Sequence, residues 1–225
     1  MDITKVLNAL IAVLIPTLNQ ALPKYIVDED LDPWADVVSG TDTLGKIDLG
    51  VCTASVKASY TIEDMVGLSS IAITGMTVDT FDGANLPTVT GTISMAAKLN
   101  KDLSAKIKGK LTAACGILSE SASISGKATA TGVTGSGKGT FTATLDLAQS
   151  CFTEVKLDSL KLNYSHIKIE ISGLGIFNEF LDPLIDVINS VFGSAIKSEV
   201  ASALKPVLND LIKDELPLCI STDAS

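Results

Sequence analysis

The chain has 225 residues and a formal net charge of -9, and all 17 of its basic residues are lysine. Because phosphate and nucleic-acid recognition depend on arginine forks, this composition argues against nucleic acid and anionic membranes as partners. Hydrophobic residues make up 46% of the chain but aromatic residues only 4%, so Ile, Leu, Val and Ala must fill the core. The length predicts a single domain covering residues 1–225.

Residues 3–22 are predicted to form an amphipathic helix that bends or ends near Pro16. The two distinct faces of this segment differ from the core of a signal peptide, and its apolar run, residues 9–15, is too short to span a bilayer. We therefore expect no stable membrane insertion and a signal peptide that lies outside these residues. The apolar stripe contains Ile3, Val6, Leu7, Leu10, Leu14 and Leu18.

An acidic connector, residues 28–34, follows this helix and is predicted to be a solvated loop held in place by Trp34. Residues 47–172 are rich in Thr, Val, Ile and Ser and contain regularly spaced turn residues, a composition typical of strands. Short turns between consecutive strands predict an antiparallel meander. The candidate strands are residues 47–61, 68–80, 88–99, 103–117, 121–132, 138–149 and 152–172.

The last candidate strand, residues 152–172, changes the parity of its apolar positions twice. Since a slip of one residue turns every side chain to the opposite face, each change predicts a bulge or bend. In this interpretation His166 points outward beside Lys168 and Glu170. An outward, solvated face is also predicted for the lysine row of Lys106, Lys108 and Lys110.

Residues 173–216 have apolar residues at the three-and-four spacing of a helix and end the chain as one long helix or two in line. Asp182 and Pro183 form a suitable N-cap and first-turn pair after a short helical lead-in, and Pro206 is predicted to bend the helix. At about 1.5 Å per residue, the segment reaches roughly 60 Å and exceeds the diameter of a compact domain of this size. A curved sheet that wraps the helix lengthwise would cover it, which predicts an α+β fold.

Four cysteines, one histidine and the absence of a CxxC pair argue against structural zinc and against thioredoxin chemistry. Two disulfides in an oxidising compartment explain the cysteines, and the sequon Asn163-Tyr164-Ser165 predicts glycosylation of Asn163. We therefore expect a secreted protein. The cysteines are Cys52, Cys115, Cys151 and Cys219.

Residues 132–138 match the letters of a phosphate-binding loop, but Gly139 stands where a magnesium-binding Ser or Thr is required. A strand pattern also follows where a helix should begin, so we interpret these residues as a glycine-rich hairpin turn. The chain has no Gly-x-Ser-x-Gly motif, and its single histidine lies on an outward strand face. The sequence therefore predicts no catalytic site, no metal site and no required cofactor.

The end of the chain resembles the tubular lipid-binding superfamily, above all the group 7 mite allergens. The resemblance lies in residues 172–176, in residues 181–187 with their Leu-Asp-Pro opening, and in residues 203–208 with their late proline. This superfamily also includes the bactericidal permeability-increasing protein and the juvenile-hormone-binding and takeout proteins of insects. The resemblance implies a long C-terminal helix (173–216) and an N-terminal helix (1–22), wrapped by a highly curved antiparallel meander (47–172).

The same resemblance implies a secreted carrier that holds an elongated apolar molecule in a tunnel between the long helix and the sheet. A fatty acid, terpenoid, retinoid or carotenoid would suit such a tunnel, and the oligomeric state stays open. The alternative is an innate-immunity or allergen-like protein that docks on lipid aggregates or on a partner's amphipathic helix. The residues expected to line the tunnel are Leu10, Leu14, Ile107, Leu111, Ile167, Ile169, Phe177, Phe180, Leu184, Ile188, Val191, Phe192 and Ile196.

The disulfide that is common in the superfamily joins a strand to the long helix, whereas this helix has no cysteine before Cys219. In a meander, Cys115 and Cys151 would lie at the same end of the sheet. We therefore expect Cys115 to pair with Cys151 and Cys52 to pair with Cys219.

Overall fold

The computed structural model describes residues 2–146 and 148–221. Residue 147, which falls in the predicted strand 138–149, and residues 1 and 222–225 of the predicted domain lie outside the described residues. The helical segments are α1 (Ile3–Asp28), two 3₁₀ segments (Leu68–Ser70 and Gly175–Phe180), α2 (Leu181–Ala195), a π-helical turn (Ile196–Val200) and α3 (Ala201–Asp214).

The strands form two antiparallel sheets of five strands each within the described residues. Sheet A has the order β1-β2-β5-β6-β9, and sheet B has the order β10-β8-β7-β4-β3. The strands are β1 (Trp34–Asp48), β2 (Thr53–Val66), β3 (Ile71–Asp82), β4 (Thr88–Leu99), β5 (Leu103–Cys115), β6 (Leu118–Thr131), β7 (Thr134–Leu145), β8 (Gln149–Asn163), β9 (His166–Ser172) and β10 (Leu218–Ser221).

Each sheet curls around helices. Helix α2 contacts both edge strands of sheet A, β1 and β9, while α1 contacts both edge strands of sheet B, β3 and β10. Helix α3 packs on α1 and on β8. The predicted fold class is therefore confirmed, because an N-terminal helix and a long C-terminal helical segment are wrapped by strongly curved antiparallel strands. We call sheet A with α2 lobe A, and sheet B with α1 and α3 lobe B.

The two lobes meet at a waist where the chain passes from one sheet to the other. Hydrogen bonds connect the crossing segments: Asn100 N–H donates to Ser70 O, Leu99 N–H to Val133 O, and Ser165 N–H to Thr131 O. The π-helical turn lies between α2 of lobe A and α3 of lobe B. The waist is thus the place where both the strand connections and the final helical segment pass from one lobe to the other.

Helix α1 is longer than the predicted residues 3–22 and runs through both Pro16 and Pro23 to Asp28. Both prolines lie on the exposed face, where water can bond the carbonyl groups that each proline leaves without a donor. The buried stripe of the helix continues past the first proline, so tertiary packing keeps the helix intact. The buried residues are Leu7, Leu10, Ile11, Leu14, Leu18, Leu22 and Ile26.

The predicted sheet, residues 47–172, begins too late and ends too early. β1 starts at Trp34, so only residues 29–33 remain of the predicted acidic loop, and β10 follows the last helix. The prediction missed β1 because Asp36, Asp42 and Gly45 interrupt its alternation. As an edge strand with two register shifts, β1 has no regular apolar face.

The order of the strands also differs from a meander in which every strand pairs with its chain neighbour. β1 and β2, β3 and β4, β5 and β6, and β7 and β8 are hairpins, but successive hairpins alternate between sheets A and B. Short turns indicate the hairpins correctly. They contain no information about the sheet that the next hairpin joins.

The two parity changes predicted in residues 152–172 have different structural causes. The first coincides with a register shift opposite Lys138 and Gly139, which leaves Asp158 as the extra residue of a bulge in β8. At the second change, Tyr164 and Ser165 carry the chain from β8 in sheet B to β9 in sheet A. The predicted single strand is therefore two strands. His166, Lys168 and Glu170 are exposed, as predicted.

The glycine-rich segment 132–138 is only partly a turn. Gly132, with φ of +60°, forms the turn, whereas Gly135 and Gly137 lie on the buried face of β7. A Cβ on Gly137 would meet Leu157 at 2.6 Å, so glycine leaves room for the side chains of β8. In the final helical segment, the irregular turn at Ile196–Val200 precedes Pro206, and α3 runs through Pro206 without interruption.

The predicted disulfide pairing is wrong. Cys52 bonds Cys115, with Cα atoms 6.5 Å apart, and Cys151 bonds Cys219, with Cα atoms 4.0 Å apart. Cys115 ends β5 at the tip of lobe A, and Cys151 lies near the start of β8 at the tip of lobe B. Because the sheets are separate, these two cysteines lie at opposite ends of the molecule.

Candidate functional site

Eleven of the thirteen predicted tunnel residues lie in or beside lobe A. Phe177, Phe180, Leu184, Ile188, Val191, Phe192 and Ile196 follow one another along the lead-in, α2 and the π-helical turn, and the others lie on strands β5 and β9 of sheet A. Leu10 and Leu14 lie elsewhere, because α1 packs against β3, β8, β10 and α3 in lobe B. The structure therefore brings the predicted site together without the contribution of α1.

Helix α2 lies between the two edges of sheet A and contacts each edge through a glycine. At its N-terminal end, the Phe180 ring packs over Gly45 of β1, where a Cβ would lie 3.0 Å from the ring. Near its C-terminal end, Gly193 packs beneath Tyr164 and Ile167, whose side chains a Cβ would meet at 2.2 and 3.2 Å. We call this interface between α2 and the concave face of sheet A the seam.

The seam is closed along its centre. Phe177, Leu184, Ile188, Phe192 and Ile196 are all completely buried, and so are Leu111 and Ile62 on the facing sheet. A void that can hold water would expose some surface of its walls, so no such void adjoins these side chains. Ile167 and Ile169 on β9 and Val191 on α2 are partly exposed, which places them at the rim of the seam.

Small residues line much of the sheet side of the seam. A flat floor of this kind lets large aliphatic and aromatic side chains from the helix reach the sheet. The buried or half-buried small residues on the concave face are Ala54, Ala58, Ala105, Gly109, Ala113, Gly126, Ala128 and Ala130. Their recurrence on one face of β2, β5 and β6 is visible in the sequence. The prediction missed it because it considered only large apolar residues.

Contacts between α2 and sheet A are apolar. Over residues 2–146 and 148–221, no side-chain hydrogen bond or ion pair joins α2 to sheet A. The neighbouring π-helical turn contributes one polar contact, in which the Lys197 ammonium lies 5.1 Å from the centre of the Tyr164 ring. The seam is therefore suited to apolar matter and has few groups that would select a polar ligand.

The helices of lobe B are attached differently. Asn19 of α1 accepts a hydrogen bond from Ile73 N–H at 2.7 Å and donates to Ile73 O at 2.9 Å. Asn209 of α3 makes the same pair of bonds with Leu157, at 2.7 and 3.0 Å. Both partners lie beside register shifts in strands β3 and β8, where the ladder leaves backbone groups free. We call these contacts the asparagine bridges.

The ion pairs between β2 and β5 lie on the outer face of lobe A. Lys106 pairs with Asp64, and Lys108 pairs with Glu63. The hydrogen bond and charge of Lys106 lower the pKa of Asp64, and those of Glu63 raise the pKa of Lys108. The row predicted to be a solvated outer face is thus exposed, and acids on β2 pair with two of its three lysines.

One polar side chain, Tyr60, extends from the inner face of sheet A toward β1. Its hydroxyl donates a hydrogen bond to Asp42 at 2.7 Å. Burial, and then this hydrogen bond, raises the pKa of Tyr60 to about 12. The hydroxyl thus stays protonated in neutral solution, and its proton is already donated in the hydrogen bond to Asp42.

Two cavities of several hundred Å³ lie in the described part of the chain. One of about 500 Å³ covers β1, β2 and β5 around Gly40 and Gly109. Another of about 470 Å³ lies between β8 and the end of α3, near Val155 and Leu216. Neither is lined by a predicted tunnel residue. Within the described residues, no cluster of three or more His, Cys, Asp or Glu side chains could hold a metal ion.

Helix α1 is long and apolar enough to cross a membrane, judged by length and composition alone. This corrects the expectation, based on its short apolar run, that no segment reaches the length of a span. Its buried stripe packs into lobe B, as the core helix of a globular fold does. Asn163, the predicted glycosylation site, is exposed at the end of β8.

No protein-family model and no curated protein matches the sequence. Among solved structures, lipopolysaccharide binding protein is similar over 87% of this chain, with 18% identity and a TM-score of 0.38. This chain spans only 39% of that protein's length. Takeout 1 of Epiphyas postvittana is similar over 91% of both chains, with 14% identity and a TM-score of 0.35. Both likenesses concern the fold alone.

Proposed function

We propose that the protein is a carrier that binds an elongated apolar small molecule in the seam between α2 and sheet A. The observation that carries this proposal is the attachment of α2. A helix of 15 residues, about 22 Å long, is held against a five-stranded concave sheet by apolar contacts alone. An apolar ligand can replace such contacts without leaving a polar group unpaired.

Loading requires α2 to move, because the centre of the seam is closed. Both ends of the helix have backbone suited to this movement. Gly173, before the 3₁₀ lead-in, and Gly175, its first residue, adopt left-handed conformations with φ of +88° and +56°, and the π-helical turn follows the helix. Irregular turns of this kind are frequent at functional sites in helices.

The energetics of exchange favour a ligand that is apolar along its whole length. Opening the seam exposes aliphatic surface, which costs about 25 cal/mol for each Å² exposed. A bound apolar ligand covers this surface again and recovers the same free energy per Å². A fatty acid, a terpenoid, a retinoid or a carotenoid meets this requirement, and a terminal carboxylate or hydroxyl can stay in water at the rim. The two disulfides support an oxidising, extracellular setting for the carrier.

The direct test is extraction of the natively purified protein with organic solvent, followed by mass spectrometry. A stoichiometric apolar compound is expected, and a visible absorption band before extraction would identify a polyene. A protein that is reproducibly empty and that does not bind an environment-sensitive fatty-acid probe would overturn the proposal.

The position of the site is tested by two matched core truncations, Ile188→Ala in α2 and Leu204→Ala in α3. Both side chains are completely buried, so each change should lower the free energy of unfolding by about 2–5 kcal/mol. Only Ile188→Ala should change the affinity of the probe, by at least about threefold, because only this side chain lies in the seam. Equal effects of the two variants on probe binding would contradict the assignment to lobe A.

A further inference from the structure

Large aliphatic side chains are exposed together at the tip of lobe A. Ile117, at the turn between β5 and β6, is 102% exposed, and Val51, in the loop between β1 and β2, is 77% exposed. The disulfide between Cys52 and Cys115 holds these two turns side by side. We call Val51, Ile117, Leu118 and Ile176 the apolar tip.

Ile176 belongs to this tip through the path of the lead-in to α2. After β9, the chain follows the edge of β6 toward the tip: Gly173 packs against the backbone of Ser123, and Gly175 lies next to Ala122. Ile176 comes next and is 59% exposed. The lead-in therefore brings the N-terminal end of the seam, where Phe180 covers Gly45, to the same end of the molecule.

Folding does not explain this exposure. A turn needs no large aliphatic side chain, and the left-handed conformation of Gly116, with φ of +62°, already forms the turn. Contiguous exposed aliphatic residues usually mark an interaction surface. The surface here is convex, since it consists of hairpin turns, so it offers no groove to a partner helix or peptide.

We propose that the apolar tip docks on an uncharged lipid surface, such as a phosphatidylcholine bilayer, and that cargo enters the seam there. The second part rests on the proposed function. Charge supports this partner, because residues 49–53 and 115–119 contain no charged side chain while the chain carries a net charge of -9. An anionic membrane would repel the rest of the molecule.

Area separates a lipid surface from a second copy of the chain. A stable protein interface buries about 800 Å² on each partner, far more than four side chains on narrow turns can supply. A fluid lipid surface needs no matching shape and accepts each aliphatic side chain separately. Three or four such side chains give weak, reversible attachment, which suits a carrier that must leave after loading.

Flotation of the purified protein with phosphatidylcholine vesicles tests the docking. The wild type should float with the vesicles, and Ile117→Asp combined with Val51→Asp should lower binding at least about tenfold, because each aspartate brings a charge into the hydrocarbon boundary. The matched control is Leu86→Asp, which changes a residue that is 56% exposed at the far end of lobe B. It should float like the wild type.

A gain of binding excludes misfolding as the cause of any loss. Ile117→Trp should bind the vesicles at least as tightly as the wild type, with a blue shift of the new tryptophan fluorescence, because tryptophan prefers the membrane interface. Failure of the wild type to float would overturn the proposal. So would flotation only with phosphatidylserine vesicles, equal loss in Leu86→Asp, or a dimer in sedimentation that the double aspartate variant abolishes.

Cargo entry is measured separately from cargo affinity. A fluorescent fatty acid added from ethanol should bind the double aspartate variant as tightly as the wild type, whereas its extraction from vesicles should slow at least about tenfold. If the wild type floats but binds no fatty acid by either route, the carrier function fails and the docking stands. If extraction is equally fast in both proteins, the tip is not the route of entry.

Discussion

The two lobes solve the same packing problem with different means. Each consists of a five-stranded antiparallel sheet, and each is closed at its tip by one disulfide. Sheet B encloses two helices, α1 and α3, and an asparagine bridge fixes each of them to the backbone of a strand. Sheet A encloses α2 alone, and apolar contacts hold it there.

If the protein is the carrier proposed above, this difference favours lobe A as the place where a ligand enters. Pulling α1 or α3 away from sheet B would break paired hydrogen bonds and leave backbone groups of a bulged strand without partners. Moving α2 away from sheet A only exposes aliphatic surface, which an apolar ligand can cover again. In the proposed carrier, lobe B would therefore stay fixed while α2 moves on sheet A.

The largest effect is expected from removal of either disulfide. Replacing Cys52 and Cys115 by alanine, or Cys151 and Cys219, should lower the free energy of unfolding by about 4 kcal/mol in each case. The equality follows from nearly equal loops, with sequence separations of 63 and 68. Urea unfolding of both variants measures the effect. A loss below about 1 kcal/mol for one pair alone would show that its lobe does not depend on closure of the tip.

Removal of an asparagine bridge should have the next largest effect. Asn209→Ala and Asn19→Ala each delete two hydrogen bonds and leave backbone groups of Leu157 or Ile73 unpaired, so we expect a loss of about 2–3 kcal/mol in the free energy of unfolding. The control is Asn189→Ala in α2. Because this side chain is exposed, the change should alter the free energy of unfolding by less than about 0.5 kcal/mol. Similar urea midpoints for all three variants would remove the distinction between the lobes.

A smaller effect concerns the close contact of α2 with β9. Alanine in place of a glycine inside a helix normally stabilises by about 1 kcal/mol. Gly193→Ala should lack this gain, because the new Cβ would lie 2.2 Å from the Tyr164 hydroxyl. In a Tyr164→Phe background the gain should return. A double-mutant cycle by urea unfolding measures the coupling between Gly193→Ala and Tyr164→Phe. If the two changes in the free energy of unfolding simply add, the contact between α2 and Tyr164 does not require a glycine at position 193.

The last effect is a pH dependence that appears only in alkaline solution. Burial and the hydrogen bond to Asp42 raise the pKa of Tyr60 to about 12, while an unfolded tyrosine titrates near about 10. The folded state therefore holds its proton more tightly, and this contribution is complete below about pH 10 and is lost as the pH rises toward about 12. Tyr60→Phe should flatten the loss of stability across this window. The lobe B counterpart is Tyr25→Phe, since the hydrogen bond to Asp214 raises the pKa of Tyr25 to about 12.

Much of the fold could be predicted because apolar spacing reports the local geometry of the chain. The helical spacing in residues 173–216 predicts the long C-terminal segment, and the lead-in before Leu181 is present as a 3₁₀ segment. The parity of residues 152–172 predicts the bulge at Asp158 and the crossing at residues 164–165, but not the further register shift at Thr153. Such patterns are visible in sequence because each depends on residues that are near one another in the chain.

The candidate site could be predicted only in part. The seam residues on α2, β5 and β9 come together because one helical stripe must be covered by one concave face. Leu10 and Leu14 of α1 do not join them. An amphipathic stripe shows which face of a helix is buried but not which of the two sheets covers that face. Whether thirteen apolar residues surround a ligand or one another depends on how closely the helix approaches the sheet, which small residues such as Ala105 and Ala128 decide.

The sequence by itself determined the α+β class, the hairpins, the two helical ends and the outward lysine row, because each is encoded in local periodicity or composition. Only the tertiary structure decided the alternation of hairpins between two sheets, the pairing of Cys52 with Cys115 and of Cys151 with Cys219, and the recruitment of β1 as an edge. These features depend on contacts between distant segments. No single stretch of the chain encodes them, since the hydrophobic effect is non-directional and any segment that covers the apolar face stabilises it.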